Sequence, residues 1–269
     1  MKLGISSWSF PWAIGVPGYP PEQPLTAFGL LDRAADLGVH VVQIADNLPL
    51  AALTPSTLER LAHHAADREI CIEVGTRGIG PDNLRTYLRL AQQFGSPLLR
   101  VVIDTADHHP SPEEVVTSLG RLMPEFEQAA VCLAVENHDR FKARTLAGIL
   151  ERIGSRTVGV CLDTVNSFGA LEGPEAVVAA LAPWVVNLHV KDFTVVRARG
   201  NLGFIVEGRP AGQGMLDVPW LLARMPQGCQ VNAILEQWPP PEPELADTIV
   251  KESRWVEQSV QYLRTFIPT

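Results

Sequence analysis

Glu136, Asp163, His189 and Glu236 share one local setting. Each lies at or near the end of a short apolar run: Val131–Val135, Val158–Leu162, Val185–Val190 and Val231–Leu235. Burying an isolated carboxylate costs several kcal/mol, on the order of the transfer penalties for unpaired charges, unless it is paired or binds a cation. Four such residues in the second half of the chain point to one shared task. Three carboxylates and one imidazole suit a hard to borderline divalent ion, with Mn²⁺ first and Mg²⁺, Co²⁺ or Zn²⁺ as alternatives. Taken singly, a strand-end acid pairs with Lys or Arg, and a histidine on an apolar strand is a satisfied core residue. The set carries the metal reading.

The elements that must position these residues alternate. Strand-like segments fall at Leu3–Ser7, Val41–Ala45, Ile70–Gly75, Leu98–Ile103, Val131–Glu136, Val158–Asp163, Val185–Val190 and Val231–Glu236. They are short and nearly continuous in Val, Ile and Leu, as parallel strands buried on both faces are. Amphipathic segments separate them: Leu25–Leu37, Thr54–Asp67, Pro81–Phe94, a helix opening at Ser111-Pro112, Thr145–Ile153, Gly173–Leu181, Val218–Ala223 and Ala246–Phe266. Thr54-Pro55 is a cap followed by proline at the first helical position, and Gly38, Gly95 and Gly154 are stop signals. Eight such units in 269 residues predict a (β/α)8 TIM barrel, one α/β domain over residues 1–269. A doubly wound sheet is the rival, but the turn Ser6–Trp12 is no glycine-rich phosphate fingerprint. Two long loops, Trp8–Pro24 and Asp192–Asp217, follow strands and so belong at the C-terminal mouth of the barrel.

The bulk numbers narrow the function. A net charge of −8 argues against a nucleic-acid surface, which needs clustered Lys and Arg. No run of 18 apolar residues predicts a membrane span, and Met1–Ser6 reads as a first strand, not a signal peptide. Cys71, Cys132, Cys161 and Cys229 form no CxxC pair and read as buried free thiols of a cytoplasmic protein.

Val135-Glu136-Asn137-His138, Cys161–Asn166, Leu188–Asp192, Gly212–Asp217 and Ile234-Leu235-Glu236 form an ordered series. It resembles the motif series of the xylose-isomerase-like TIM-barrel superfamily of sugar isomerases, epimerases, dehydratases and an endonuclease branch. The resemblance implies Glu136, Asp163, His189 and Glu236 as metal ligands, with Glu136 and Glu236 as paired acid and base. It implies a metal-dependent isomerase or epimerase of a small sugar or sugar derivative, working through a metal-stabilised enediolate. The alternative is a lyase, a dehydratase or decarboxylase of a keto-sugar acid or keto-inositol. One departure stands out. Ketose 3-epimerases carry a substrate-contacting histidine three residues after the aspartate, where this chain has Asn166. An endonuclease would need more ligands and a basic groove, and a catalytically silent barrel would not keep an intact ligand set.

The expected substrate contacts are His138, Lys191, Asn166, Glu73, Arg209 and Trp8, with Arg140 a further cation near the mouth. Each has a plainer reading: Lys191 paired with Asp192 or Glu207, Glu73 with Arg77 or Arg100, His138 solvated on a loop. Gln43, Asp46 and Arg100 read as inward polar layers, and Trp8, Phe10 and Trp12 as pocket walls or packing. Gly212–Gly214 reads as a tight turn before a phosphate loop, and His108-His109 as surface. The expected partner is a small carbohydrate, with no nucleic acid or membrane. The resemblance implies a homodimer as one assembly, and the aromatics of Trp8–Tyr19 offer a contact for it without fixing the interface.

Overall fold

The computed structural model describes residues 1–226 and 231–268; Cys229 lies outside them. Eight parallel strands close into a barrel in the order β1 (Leu3–Ser6), β2 (Val41–Ile44), β3 (Cys71–Arg77), β4 (Leu98–Val102), β5 (Cys132–Glu136), β6 (Val158–Asp163), β7 (Val185–Val190) and β10 (Asn232–Leu235), which returns to β1. The chain is a (β/α)8 TIM barrel in one domain. Every barrel strand coincides with a predicted one to within two residues, because their apolar runs are bounded by turn-forming residues and flanked by capped helices.

Helices α2 (Ala27–Asp36), α3 (Pro55–Ala66), α4 (Pro81–Phe94), α5 (Pro112–Ala129), α6 (Ala143–Ile153), α7 (Pro174–Leu181), α8 (Val218–Leu222) and α9 (Leu245–Leu263) surround the barrel. The Thr54 hydroxyl accepts from Thr57 N at 3.2 Å, and Ser111 does the same for Glu114. These caps satisfy helix-end amides that would otherwise lack partners. The main core lies between strands and helices, with Leu30, Leu61, Leu84, Leu119, Leu150 and Val256 on the helix side fully or almost fully buried. Among the described residues no helix is long and apolar enough to cross a membrane.

Inside the barrel a small apolar group, Leu98, Ala134 and Cys161, sits among polar side chains. Gly159 lets β6 and β7 approach. A Cβ there would lie 2.7 Å from Trp184 O and 2.6 Å from Val186 Cγ1. The register shifts between Val160 and Cys161, and Asp163 then stands opposite His189.

The Asp192–Asp217 segment is more ordered than its sequence suggests. It forms an antiparallel hairpin, β8 (Asp192–Arg197) and β9 (Phe204–Arg209). The cause of the misreading is local: Thr194-Val195-Val196 and Phe204-Ile205-Val206 are strand-like but short, and they run between polar residues. The Trp8–Pro24 loop likewise holds a 3-10 turn at Ser7–Ser9 and a short helix, α1 (Pro11–Ile14). The thiol expectation needs correction too. Cys161 is buried, Cys132 is intermediate and Cys71 is exposed at the start of β3.

Candidate metal centre and active site

Side chains alternate along a strand, so the last inward positions of adjacent staves meet at the barrel mouth. Glu136 ends β5, Asp163 ends β6, His189 is the last inward residue of β7, and Glu236 follows β10. All four are buried. His189 Nδ1 lies 3.4 Å from Glu136 Oε2, 3.5 Å from Glu236 Oε2 and 3.7 Å from Asp163 Oδ2.

Asp163 Oδ2, His189 Nδ1 and Glu236 Oε2 have no hydrogen-bond partner although they are buried. Lys191 Nζ lies 2.7 Å from Asp163 Oδ2 and 2.9 Å from Glu236 Oε2. Those contacts are ion pairs whose angles do not make hydrogen bonds. Three ligand atoms within 4.8 Å of one another, two of them already drawn to the Lys191 ammonium, are what a cation site requires, since buried polar atoms are otherwise almost always satisfied. The residues therefore fit a divalent ion. Glu136, Cys161 and His189 form a second overlapping trio, but burial pushes the Cys161 thiol well up, and a neutral thiol is a poor ligand.

The remaining ligand atoms are held in place. Asp163 Oδ1 accepts from Val165 N and Asn166 N, both at 2.8 Å. Glu236 Oε1 accepts from Ser6 Oγ at 2.8 Å. Glu136 Oε1 accepts from Asn166 Nδ2 at 2.6 Å, and its Oε2 meets Arg100 Nε. Asn166 thus lies in the site, holding Glu136 and receiving Lys191 Nζ at 3.3 Å. Burial works against the charge of Asp163, yet Lys191 and His189 hold its carboxyl well below the usual range. Burial likewise opposes the Lys191 ammonium, but Asp163, Glu236 and Glu136 outweigh it and keep the group above its ordinary value. Lys191 therefore carries a charge inside the site, and its partners are the metal-site acids, not Asp192 or Glu207.

Arg100 is the main residue whose role the sequence left open. It stands in the middle of the apolar strand β4, and its guanidinium joins Glu136 to Asp46, whose Oδ1 is 2.7 Å from Nη1. Asp46 also takes Arg77 Nε at 3.1 Å. Desolvation raises the Asp46 pKa, but Arg100 and then Arg77 dominate and bring it down to about 2. The available signal was a charged residue inside Leu98-Leu99-Arg100-Val101-Val102.

Above the cluster opens a cavity of about 520 Å³. Its lining combines Arg77, Arg100, Glu136, His138, Lys191 and Glu236 with the indoles and prolines of Trp8, Trp12, Trp238 and Pro239–Pro241. Trp12 is fixed through Nε1 to Pro239 O at 2.9 Å, and its backbone N donates to Glu252 Oε1 at 2.8 Å. Trp8, His138, Lys191 and Asn166 are thus gathered at the cavity. Glu73 and Arg209 are not among the lining residues. Glu73 lies deeper in the barrel, accepting from Asn232 Nδ2 at 2.8 Å and from Gln43 Nε2 and Asn187 Nδ2 at 3.0 Å each. It pairs with neither Arg77 nor Arg100. Arg209 is turned to Glu207, with Nη2 to Oε2 at 3.0 Å. Arg140 pairs with Asp104. Phe10 is core, and of the loop aromatics Tyr19 is the exposed one. The Gly212–Gly214 segment is a turn, with Gly212 N, Gly214 N and Leu216 N donating to the Asp192 carboxylate at 2.8–3.0 Å. His108 and His109 are on the surface.

Comparison with known proteins agrees with this geometry. The family model described as xylose isomerase-like TIM barrel matches residues 31–266, and the chain belongs to that family. It is 35% identical over 271 aligned residues to a 3-oxo-isoapionate decarboxylase of Pectobacterium atrosepticum, covering 100% of this chain and 97% of the relative. Among solved structures, a D-psicose 3-epimerase studied in the presence of D-fructose superposes with a TM-score of 0.73 at 13% identity, covering 100% of both chains. A xylose isomerase-like TIM-barrel protein of Mycobacterium smegmatis in complex with magnesium gives 0.65 at 14% identity, covering 97% of each. At these identities the structural likenesses establish the fold alone. The characterised relatives are enzymes, decarboxylase and epimerase among them.

Proposed function

We propose that this protein is a divalent-metal-dependent lyase that decarboxylates a small 3-oxo sugar acid. The observation that carries the site is the convergence of Asp163 Oδ2, His189 Nδ1 and Glu236 Oε2 within 4.8 Å of one another, beside a cavity that Glu136, Lys191 and Glu236 line. The full-length likeness to a 3-oxo-isoapionate decarboxylase supports this reading over the other reactions the fold hosts. Mn²⁺ is the ion proposed first, with Mg²⁺, Co²⁺ and Zn²⁺ as rivals on the same donor set.

A divalent ion held by Glu136, Asp163, His189 and Glu236 would supply a Lewis acid for the keto oxygen. The protein's residues do the rest. Asp46, Glu136, Asp163 and Glu236 exceed Arg77, Arg100 and Lys191 by one charge; with a divalent ion the balance turns positive by one, which suits a monoanionic substrate. The indole and proline wall takes the carboxylate that leaves, where poor solvation favours loss of neutral CO₂ over retention of the charge. The C–COO⁻ bond breaks, its electron pair becomes the enolate, and a proton returns to carbon. Lys191, kept charged beside the ligands, is the donor we assign to that last transfer.

A second reading is isomerisation or epimerisation of a ketose. It is supported by the two glutamates flanking His189 Nδ1 at 3.4 and 3.5 Å, where one could remove a proton and the other return one. Mass spectrometry in D₂O with the Mn²⁺-loaded enzyme distinguishes them. Loss of CO₂ from 3-oxo sugar acids with one deuterium gained supports the lyase. Deuterium uptake into ketoses without loss of mass supports the epimerase and overturns the first reading.

A further inference from the structure

Beneath the ligands lies a polar layer whose hydrogen bonds run in one direction. Glu73 is buried on β3, and every neighbour in the layer turns an amide N–H toward it: Gln43 Nε2 and Asn187 Nδ2 to Oε2, and Asn232 Nδ2 to Oε1. The other hydrogen of the Gln43 amide goes to Asn187 Oδ1 at 3.1 Å. Both N–H bonds of Gln43 are thereby committed, and its oxygen has one place left to face. It meets His189 Nε2 at 2.7 Å. A carbonyl oxygen accepts only, so Nε2 must carry the ring proton. In the neutral ring, the form that can bind a cation, Nδ1 is then the lone-pair nitrogen, and it is the buried atom that faces the three carboxylates; without a cation, burial opposes a charge on the ring but Glu236, Glu136 and Asp163 raise its pKa.

We propose that Glu73 is a positioning residue which, through Gln43, sets the tautomer of His189 and readies Nδ1 for a cation. The inference rests on the metal reading of the site. It explains why an acid sits in the barrel interior: burial pushes its pKa up while the Asn232, Gln43 and Asn187 donors pull it down, and as a carboxylate it accepts only, which forces the amide orientation. A second layer of this kind commonly fixes ring orientation and basicity in metal sites.

Glu73→Gln removes the constraint. The new amide brings N–H donors into a layer already rich in them, and the Gln43 amide is free to rotate. Rotated, it offers N–H to Nε2, and the ring must move its proton to Nδ1. The expected result is a loss of about 10–100-fold in Mn²⁺ affinity by titration calorimetry, in the range typical of such outer partners. In ¹⁵N-histidine-labelled, metal-free protein, at a pH high enough that the ring is neutral, long-range ¹H–¹⁵N spectra should show His189 passing from the Nε2–H to the Nδ1–H form. The exchange variant, Glu73→Gln with Gln43→Glu, puts the acceptor back against Nε2 and the donor beneath it. It should regain affinity to within a few-fold of wild type, which a merely structural defect would not do. Unchanged affinity and an Nε2–H ring in Glu73→Gln would overturn the proposal; should that variant fail to fold, the exchange variant decides by the same two readouts. If wild type itself binds no divalent ion, the metal reading falls, while the tautomer spectra still judge the relay.

Discussion

Replacing Arg100 with methionine should cost about 3–5 kcal/mol of folding free energy at neutral pH, the range for breaking a buried ion pair from one side. The guanidinium side chain is 3% exposed and is shared by Glu136, 1% exposed, and Asp46, 17% exposed. Asp46 supplies one part of the magnitude. Its pKa drops from 3.8 to about 2, which corresponds to about 2–3 kcal/mol. Arg77 keeps a share of that through its 3.1 Å contact. Glu136 supplies the larger part, since without Arg100 it retains a single side-chain donor, Asn166. Methionine preserves most of the volume, so the lost charge dominates over a cavity. The assay is urea unfolding in EDTA, followed by tryptophan fluorescence. The sign of the pH dependence adds a check. A carboxyl with a depressed folded pKa contributes its stability above the unfolded value and loses it as pH falls from about 4 toward 2. That acid-limb slope should be shallower in Arg100→Met. A loss below about 1 kcal/mol at pH 7, far under what an uncompensated buried charge costs, would refute the reasoning.

Glu252 gives a dependence of opposite sign: burial raises its pKa from 4.5 to about 8, against the two amides of Trp12 and Ala13 that bind it. The folded protein holds this proton where the unfolded chain has lost it, so stability falls as pH rises between these values. The change is on the order of 3–5 kcal/mol by linkage, and Glu252→Gln should flatten it in unfolding titrations at pH 5 and 8; identical slopes would exclude the assignment. His189→Ala should abolish Mn²⁺ binding by calorimetry, and the gain in thermal stability of about 2.7 kcal/mol expected at a hundredfold excess over Kd should vanish with it. A fully active, metal-binding His189→Ala protein would sink the metal centre. Glu136→Gln and Glu236→Gln should each lower turnover by at least about 100-fold, the scale of a lost acid–base or charge-stabilising group, read as kcat in the mass-spectrometric assay; near-normal kcat in either would remove that residue from the chemistry.

The amino-acid sequence by itself determined the eight staves, the helices between them and the four candidate ligands. The reason is that these signals are local. An apolar run specifies a buried strand, a capped amphipathic run specifies a helix, and a charge closing an apolar run marks the mouth of the barrel. His138, Lys191, Asn166 and Trp8 were legible for the same reason, as each lies close to a strand end. Tertiary structure alone decided depth and partnership. Glu73 also nears a strand end in the sequence, yet β3 runs on to Arg77, and the acid lies a layer below the cavity. Arg209 lies in the loop-like stretch Glu207–Gly214 and was expected to contact the substrate, but the hairpin holds it against Glu207. Arg100 and Gln43 meet Glu136 and His189 from sequence distances of 36 and 146 residues. No local pattern records such meetings, because they exist only once the barrel closes and its stagger sets which inward side chains share a layer.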